Sequence, residues 1–282
     1  RAAARDRDAG GAAARGISGA RWSLFLSFKG GMGILVDALA ARLDGSIRFG
    51  ARAIDLIPGG TGDHSEARPR SWTIRTASGG TFAADAVLCT LPAYAAAPLL
   101  RPHNRALADA LAEITYASAA TVNLAFRTVD FPNPPRSFGF VVPVAENRRI
   151  IAGSFSSLKF AGRAPAGMLL ARVFLGGALQ TEMMRLDDAA MIDAARAEFA
   201  ALLGVTAAPM LAHLQRWADA MPQYAVGHLE RAAAIEREAA ALPAFALAGA
   251  FLRGVGIPDC ISSGERAAEA MFSHIMPCTW MS

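Results

Sequence analysis

The chain has 282 residues, 53% of them hydrophobic and 18% charged, the profile of a globular protein with a sizeable core and not of a disordered one. Its 28 Lys and Arg against 24 Asp and Glu leave a dispersed net charge of +4, which admits weak attraction to anionic surfaces or substrates but indicates no nucleic-acid partner. Cys89, Cys260 and Cys278 are too far apart for a zinc pattern or a disulfide framework, so no metal is expected.

Residues 1–20, rich in Ala, Arg and Gly, read as a flexible linker. They hold no initiator Met and no apolar h-region, so we expect no signal peptide and a chain that is a piece of a longer one. Leu35, Leu39 and Leu43 recur every fourth residue beside Met32 and Val36 and predict a helix from Gly33 to Gly45. Ile47 and Phe49, then Ile54 and Leu56, alternate as one or two strands. Trp72, Ile74 and Thr76 share one face of a hairpin turned at Gly79-Gly80. "DAVLCTLP", continuously apolar and stopped by Pro92, predicts a buried parallel strand.

From about residue 105 the texture changes. Strands are predicted in "ATVNLAFR", "FGFVVP", "RRIIAGSF" and "LLARVFLGG", with short connections. A helix over Asp188–Leu203 presents Ile192, Ala195, Phe199 and Leu202 as its core stripe. The apolar run Ala239–Leu252, broken by Pro243, is too short to span a bilayer and reads as helix end, turn and strand. The fold class is therefore α/β, α+β overall. An α/β domain in two pieces, 21–104 and 225–282, carries an antiparallel sheet with helices inserted over 105–224.

The strand over 244–250 runs into "FLRGVGIPDCISSGERAAEAMF", which sets Gly254 and Gly256 at the mouth of a helix with Pro258 near its first position. Missing side chains let a flat or phosphorylated ligand lie on the backbone, and the helix N-terminus aims free N–H groups at the same spot. On this pattern alone a plain strand-to-helix turn is an equal reading. Asp259 stands where a dinucleotide fingerprint has its third glycine.

"SFKGGMGILVDALAARL", "VLCTLPAYAAAPLL", "MPQYAVGHLERAAAIE" and "GVGIPDCISSGERAAEA", in that order and separation, resemble the protoporphyrinogen oxidase family of flavoenzymes, within the wider flavin amine oxidase group. The resemblance runs from about Leu24 to Phe272. It implies a partial FAD-binding Rossmann-like domain with an inserted substrate domain. Gly254 and Gly256 would clear space for the flavin, with Val255, Gly256 and Ile257 as its contacts. The backbone at Ala53 would meet the adenine half, and Trp217 would be an aromatic near the flavin.

On the substrate side, Phe138 and Phe174 would sandwich a flat tetrapyrrole, Val141 would pack under it, and Gly139 would offer backbone polar groups. The implied activity is oxidation of protoporphyrinogen IX to protoporphyrin IX in haem biosynthesis, with hydride passing from a meso carbon to the flavin and on to O2. The cofactor carries the hard step, and no catalytic residue is assigned. His64 and His103 read as solvated, His228 as a structural hydrogen-bonder and Cys260 as buried against the cofactor. A cytoplasmic enzyme is expected, peripheral to the inner face of the membrane and compatible with a homodimer.

One departure is large. No G-x-G-x-x-G follows a first strand, since neither Gly30-Gly31-Met32-Gly33 nor Gly59-Gly60-Thr61-Gly62 has that spacing. The ADP-binding half and the family's substrate-side arginine are therefore expected outside this chain, and the chain alone should bind FAD poorly. Alternatives stay open: coproporphyrinogen III as substrate, another flavin oxidase such as an amine oxidase or desaturase, or an inactive binding domain. The few slot cations, Arg136 and Arg172, favour protoporphyrinogen IX, because each buried carboxylate needs a partner. Arg172 counts only if its strand face is the slot. Gly256→Val is expected to lower cofactor content and Ser263→Ala to be silent.

Overall fold

The computed structural model describes residues 26–59 and 72–275. The predicted linker 1–20, the glycines at 60 and 62, His64 and Cys278 lie outside the described residues. Helix α1 (Gly33–Arg42) forms where the leucine spacing predicts, yet none of its residues is buried; Val36 and Leu39 are exposed, as is Leu43 just beyond. Strands β1 (Ala53–Pro58), β2 (Trp72–Thr76) and β3 (Thr81–Ala84) form an antiparallel sheet in sequence order, with Gly79 at φ 85° in the hairpin turn. Residues 47–49 are not a strand, because Gly45 and Gly50 take positive φ on either side and turn the chain. Next come β4 (Val87–Cys89), α2 (Ala93–Leu100) and α3 (Arg105–Ala112), the last capped by Asn104, whose side chain accepts from the Leu107 N–H.

A five-stranded antiparallel sheet fills the middle of the chain. It comprises β5 (Tyr116–Arg127), β6 (Gly139–Val141), β7 (Ala152–Phe155), β8 (Met168–Gly176) and β9 (Leu211–Pro222), in the spatial order β6-β7-β8-β5-β9. One short helix, α4 (Ser156–Lys159), follows β7, and α5 (Asp188–Leu203) precedes β9. Alternation decides which face is inside: Ala120, Val122, Leu124 and Phe126 of β5, with Leu169, Ala171, Val173 and Leu175 of β8, are all buried. Against them lies α5, begun by an Asp187 side chain that accepts from Ala190 N–H and ended by Gly204 at φ 69°. Its core face is Met191, Ala194, Ala195 and Phe199, rotated from the predicted stripe, so that Ile192 is only half-buried and Leu202 is exposed.

The chain returns through α6 (His228–Ala240) and β10 (Phe245–Leu247), which pairs in parallel with β4 as predicted, and then enters α7 (Ile257–Ile275), where Pro258 is the second residue. β10 is shorter than the predicted 244–250 strand, because Ala244 (φ 47°) and Gly249 (φ 150°) leave extended geometry. A second core joins Leu56, Trp72, Leu100, Ile235, Phe245 and Phe251. Leu107, Leu111 and Ile114 belong to it too, although the sequence assigned residues from 105 onward to the inserted block. His103, expected to be solvated, packs edge-on to Trp72 with ring centroids 6.1 Å apart, and its Nε2 is buried without a partner. Among the described residues no helix is long and apolar enough to cross a membrane.

Candidate functional site

The face of the five-stranded sheet away from α5 carries most of the predicted substrate residues, and the strand register shows why. Residues paired across an antiparallel ladder project to the same side. Val141, Ala152, Phe174, Thr121 and Gln215 are paired in turn across all five strands. The next row is Gly139, Ser154, Arg172, Asn123 and His213; the row on the other side holds Gly176, Ala119 and Trp217. Gly139, Val141, Phe174 and Trp217, distant in sequence, thus share one open face with Arg172. With strands about 4.8 Å apart and rows about 7 Å apart, that face measures about 19 by 14 Å.

Val141 is 81% exposed and Trp217 49%, and the Trp217 indole reaches across to the Thr121 hydroxyl at 3.4 Å. Beside Trp217, a register shift between Ala117 and Ala119 is secured by Ser118, which bonds both the backbone N–H and the carboxylate of Asp219. Gly139 has a role within the sheet as well, since a Cβ there would collide with the Gly153 carbonyl of β7. Phe138, exposed just before β6, and Arg136, exposed in the preceding loop, lie outside the strands, so the register does not assign them to this face.

The mouth of α7 is the second part of the site, and the sequence understated how firmly it is held. The Gly249 N–H donates to the Ser263 hydroxyl at 3.1 Å. Tyr224 donates its hydroxyl to the Ala250 carbonyl, and His228 Nε2 meets the Leu252 carbonyl at 2.8 Å. The Tyr224 and His228 rings stack at 3.9 Å and 11°. The imidazole therefore donates from Nε2, while its Nδ1 is buried without a partner. Burial pushes the Tyr224 phenol above its ordinary pKa, with the Gly254 backbone amide pulling the other way. His228 is the structural hydrogen-bonder expected, and Tyr224 is the residue that sequence reasoning missed. Its only signal was its place in "MPQYAVGH".

Beyond this anchor, Val255 and Ile257 stand exposed around Gly254 and Gly256. Here the expectation that these glycines clear space for a ligand needs correction. A Cβ on Gly254 would lie 2.6 Å from Asp259 Oδ2, and one on Gly256 2.8 Å from the same atom. The room is taken by this chain's own carboxylate, which already sits at the positive end of α7. Asp259 is exposed, so its carboxylate can turn away from Gly256, but its Cβ, 2.6 Å from a Cβ on Gly254, stays in place whichever way the side chain rotates. A cleft of about 180 Å³ beside it is lined by Gly249, Arg253, Gly254, Asp259, Ser262 and Arg266. Cys260 is half-buried, its amide bonded to the Gly256 carbonyl, whereas Cys89 in β4 is buried and its thiol pKa pushed up by that burial.

The chain leaving β9 joins the two parts, from Trp217 on the open face to Tyr224, two residues past the strand's end at Pro222, on the α7 mouth. Ala53 is apart from both, at the start of β1 in the three-stranded sheet. A strand, two glycines and a helix N-terminus with exposed apolar rims suit the edge of a flat anionic cofactor, provided that Asp259 rotates.

Comparison with known proteins is consistent with this arrangement. The family model described as flavin containing amine oxidoreductase matches residues 6–272. A coproporphyrinogen III oxidase of Propionibacterium freudenreichii subsp. freudenreichii is 37% identical over 270 residues, which is 94% of this chain and 48% of that protein. A protoporphyrinogen oxidase of Bos taurus is 33% identical over 263 residues, covering 88% of this chain and 51% of that protein. Among solved structures, one provisionally named protoporphyrinogen oxidase, from Exiguobacterium sp. 255-15, matches with a TM-score of 0.75 at 27% identity, over 88% of this chain and 52% of that one. The chain spans about half the length of the curated relatives it matches.

Proposed function

Given that the chain belongs to the family of flavin containing amine oxidoreductases, we propose that it forms the substrate-facing part of an FAD-dependent porphyrinogen oxidase of haem biosynthesis. The observation that carries this reading is the register that puts Gly139, Val141, Phe174 and Trp217 on one open sheet face, tied by β9 to the α7 mouth. Bound FAD would supply three successive two-electron oxidations that take the porphyrinogen to the porphyrin, with O2 reoxidising it after each in this reading. Phe174 and Trp217 offer aromatic surface to a flat ring, and Val141 with Ala152 keeps the contact apolar and excludes water. Val255, Gly256 and Ile257, with Gly254, would hold the flavin edge once the Asp259 carboxylate had turned from Gly256, and the Ala53 backbone would meet the adenine half. We place the enzyme in the cytoplasm, peripheral to the inner face of the membrane.

Two substrates fit. The small number of cations near the open face, Arg172 and Arg136, favours protoporphyrinogen IX. The 37% identity over 94% of the chain to a coproporphyrinogen III oxidase favours coproporphyrinogen III. A cation count samples only the part of the site that this chain supplies, so we place coproporphyrinogen III first. The test offers both porphyrinogens in competition to the intact gene product loaded with FAD and follows porphyrin fluorescence. Coproporphyrin III is expected to accumulate faster; a preference for protoporphyrin IX reverses the order, and fluorescence from neither overturns the porphyrinogen reading.

A further inference from the structure

We infer that Arg172, positioned by Asn123, is the docking point for a substrate carboxylate on the open sheet face and so orients the macrocycle there. This rests on the porphyrinogen reading. Strand alternation places Arg172 beside Phe174, because Val173 between them is fully buried on the α5 side. Its Nε–H donates to Asn123 Oδ1 at 3.0 Å from the directly paired position on β5. That bond fixes the plane of the guanidinium and leaves both terminal nitrogens for a ligand, in the fork that matches a carboxylate.

Among the described residues, no carboxylate is paired with Arg172 on the flanking strands. The residues paired around it on that face are Ser154, Asn123, Ala152, Phe174, Leu170 and Ala125. Arg127, Arg148, Arg216 and Arg253, by contrast, each spend the guanidinium on a carboxylate of this chain. A cation one row, about 7 Å, from the half-buried Phe174 ring suits a ligand with a flat apolar body and an anionic arm. A porphyrinogen propionate is such an arm, and the macrocycle that covers Phe174 also excludes water from the ion pair and strengthens it.

The test uses the intact FAD-loaded gene product with Arg172→Met and Arg172→Lys, after FAD content and melting temperature show both to be folded. KM for coproporphyrinogen III is measured beside the fluorescence-derived Kd of coproporphyrin III and of its tetramethyl ester, in matched detergent. Losing a charge-assisted pair should raise KM and Kd for the free acid about tenfold in Arg172→Met, leave the ester's Kd unchanged, and be partly restored in Arg172→Lys. Equal loss for acid and ester, or no loss for either, overturns the inference while the porphyrinogen reading stands. A wild-type protein that neither oxidises the porphyrinogen nor binds either porphyrin overturns both.

Discussion

Ser263 accepts the Gly249 N–H from inside α7 and is itself buried, so the hydroxyl is the acceptor for a strand-end amide that the helix covers. Ser263→Ala, which looks silent in sequence, should therefore cost about 1–3 kcal/mol, because the amide loses its partner without regaining solvent. Thermal unfolding checks this, and an unchanged melting temperature would mean that water replaces the hydroxyl. Tyr224→Phe keeps the stack on His228 but frees the Ala250 carbonyl. Amide hydrogen exchange over residues 249–254 should then quicken, with no change in α5. The phenol also has a pH signature. Its pKa lies above the ordinary 10.0, so the folded state holds that proton more tightly than the unfolded chain does. The contribution is complete below about pH 10 and is lost as pH rises through the raised value. None of this was legible beforehand, because the hydroxyl's partner lies 26 residues further along the chain.

At the scale of elements, alternation was enough for β5 and β8, where Ala120, Val122, Leu124 and Phe126 and then Leu169, Ala171, Val173 and Leu175 are buried at every second position, and for the limits of α5. It failed for β9, where the position paired with Ala120 on the core side is Arg216. That guanidinium is held by Asp188 and the carbonyls of Met184 and Leu186, so a charged residue occupies an inward position and breaks the pattern. The stripe of α5 was misplaced by rotation: Leu202 continues the heptad-like spacing but is exposed, whereas its neighbour Leu203 packs against the sheet core. Phe199→Ala should cost about 3–5 kcal/mol, since the ring is fully buried among Phe126, Phe140 and Phe155. Leu202→Ala should stay within about 1 kcal/mol. Equal effects in chemical denaturation would restore the stripe read from spacing.

Across the whole molecule, the described residues form one core complete on its helix side and another that leaves apolar surface uncovered. Apolar residues of α1, and Val255, Ile257 and Ile261 at the start of α7, are exposed, and the chain spans about half the length of the curated relatives it matches. No G-x-G-x-x-G is present to cradle a pyrophosphate. The 282-residue chain by itself should therefore take up FAD weakly, and a stoichiometric flavin spectrum from it would contradict the division of labour argued here. The general architecture was legible because period-two and period-four patterns report which face is buried. Which strands lie side by side was not, and the open face exists only through that register. The most direct test of its role is a single-turnover experiment without oxygen, mixing the intact FAD-loaded gene product with coproporphyrinogen III. The account predicts loss of the oxidised-flavin absorbance as two of the six electrons leave the macrocycle, and porphyrin fluorescence only after O2 is admitted to reoxidise the flavin for the remaining two steps, both slowed in Phe174→Ala and Trp217→Ala. A bound flavin that stays oxidised in the presence of excess porphyrinogen would contradict it.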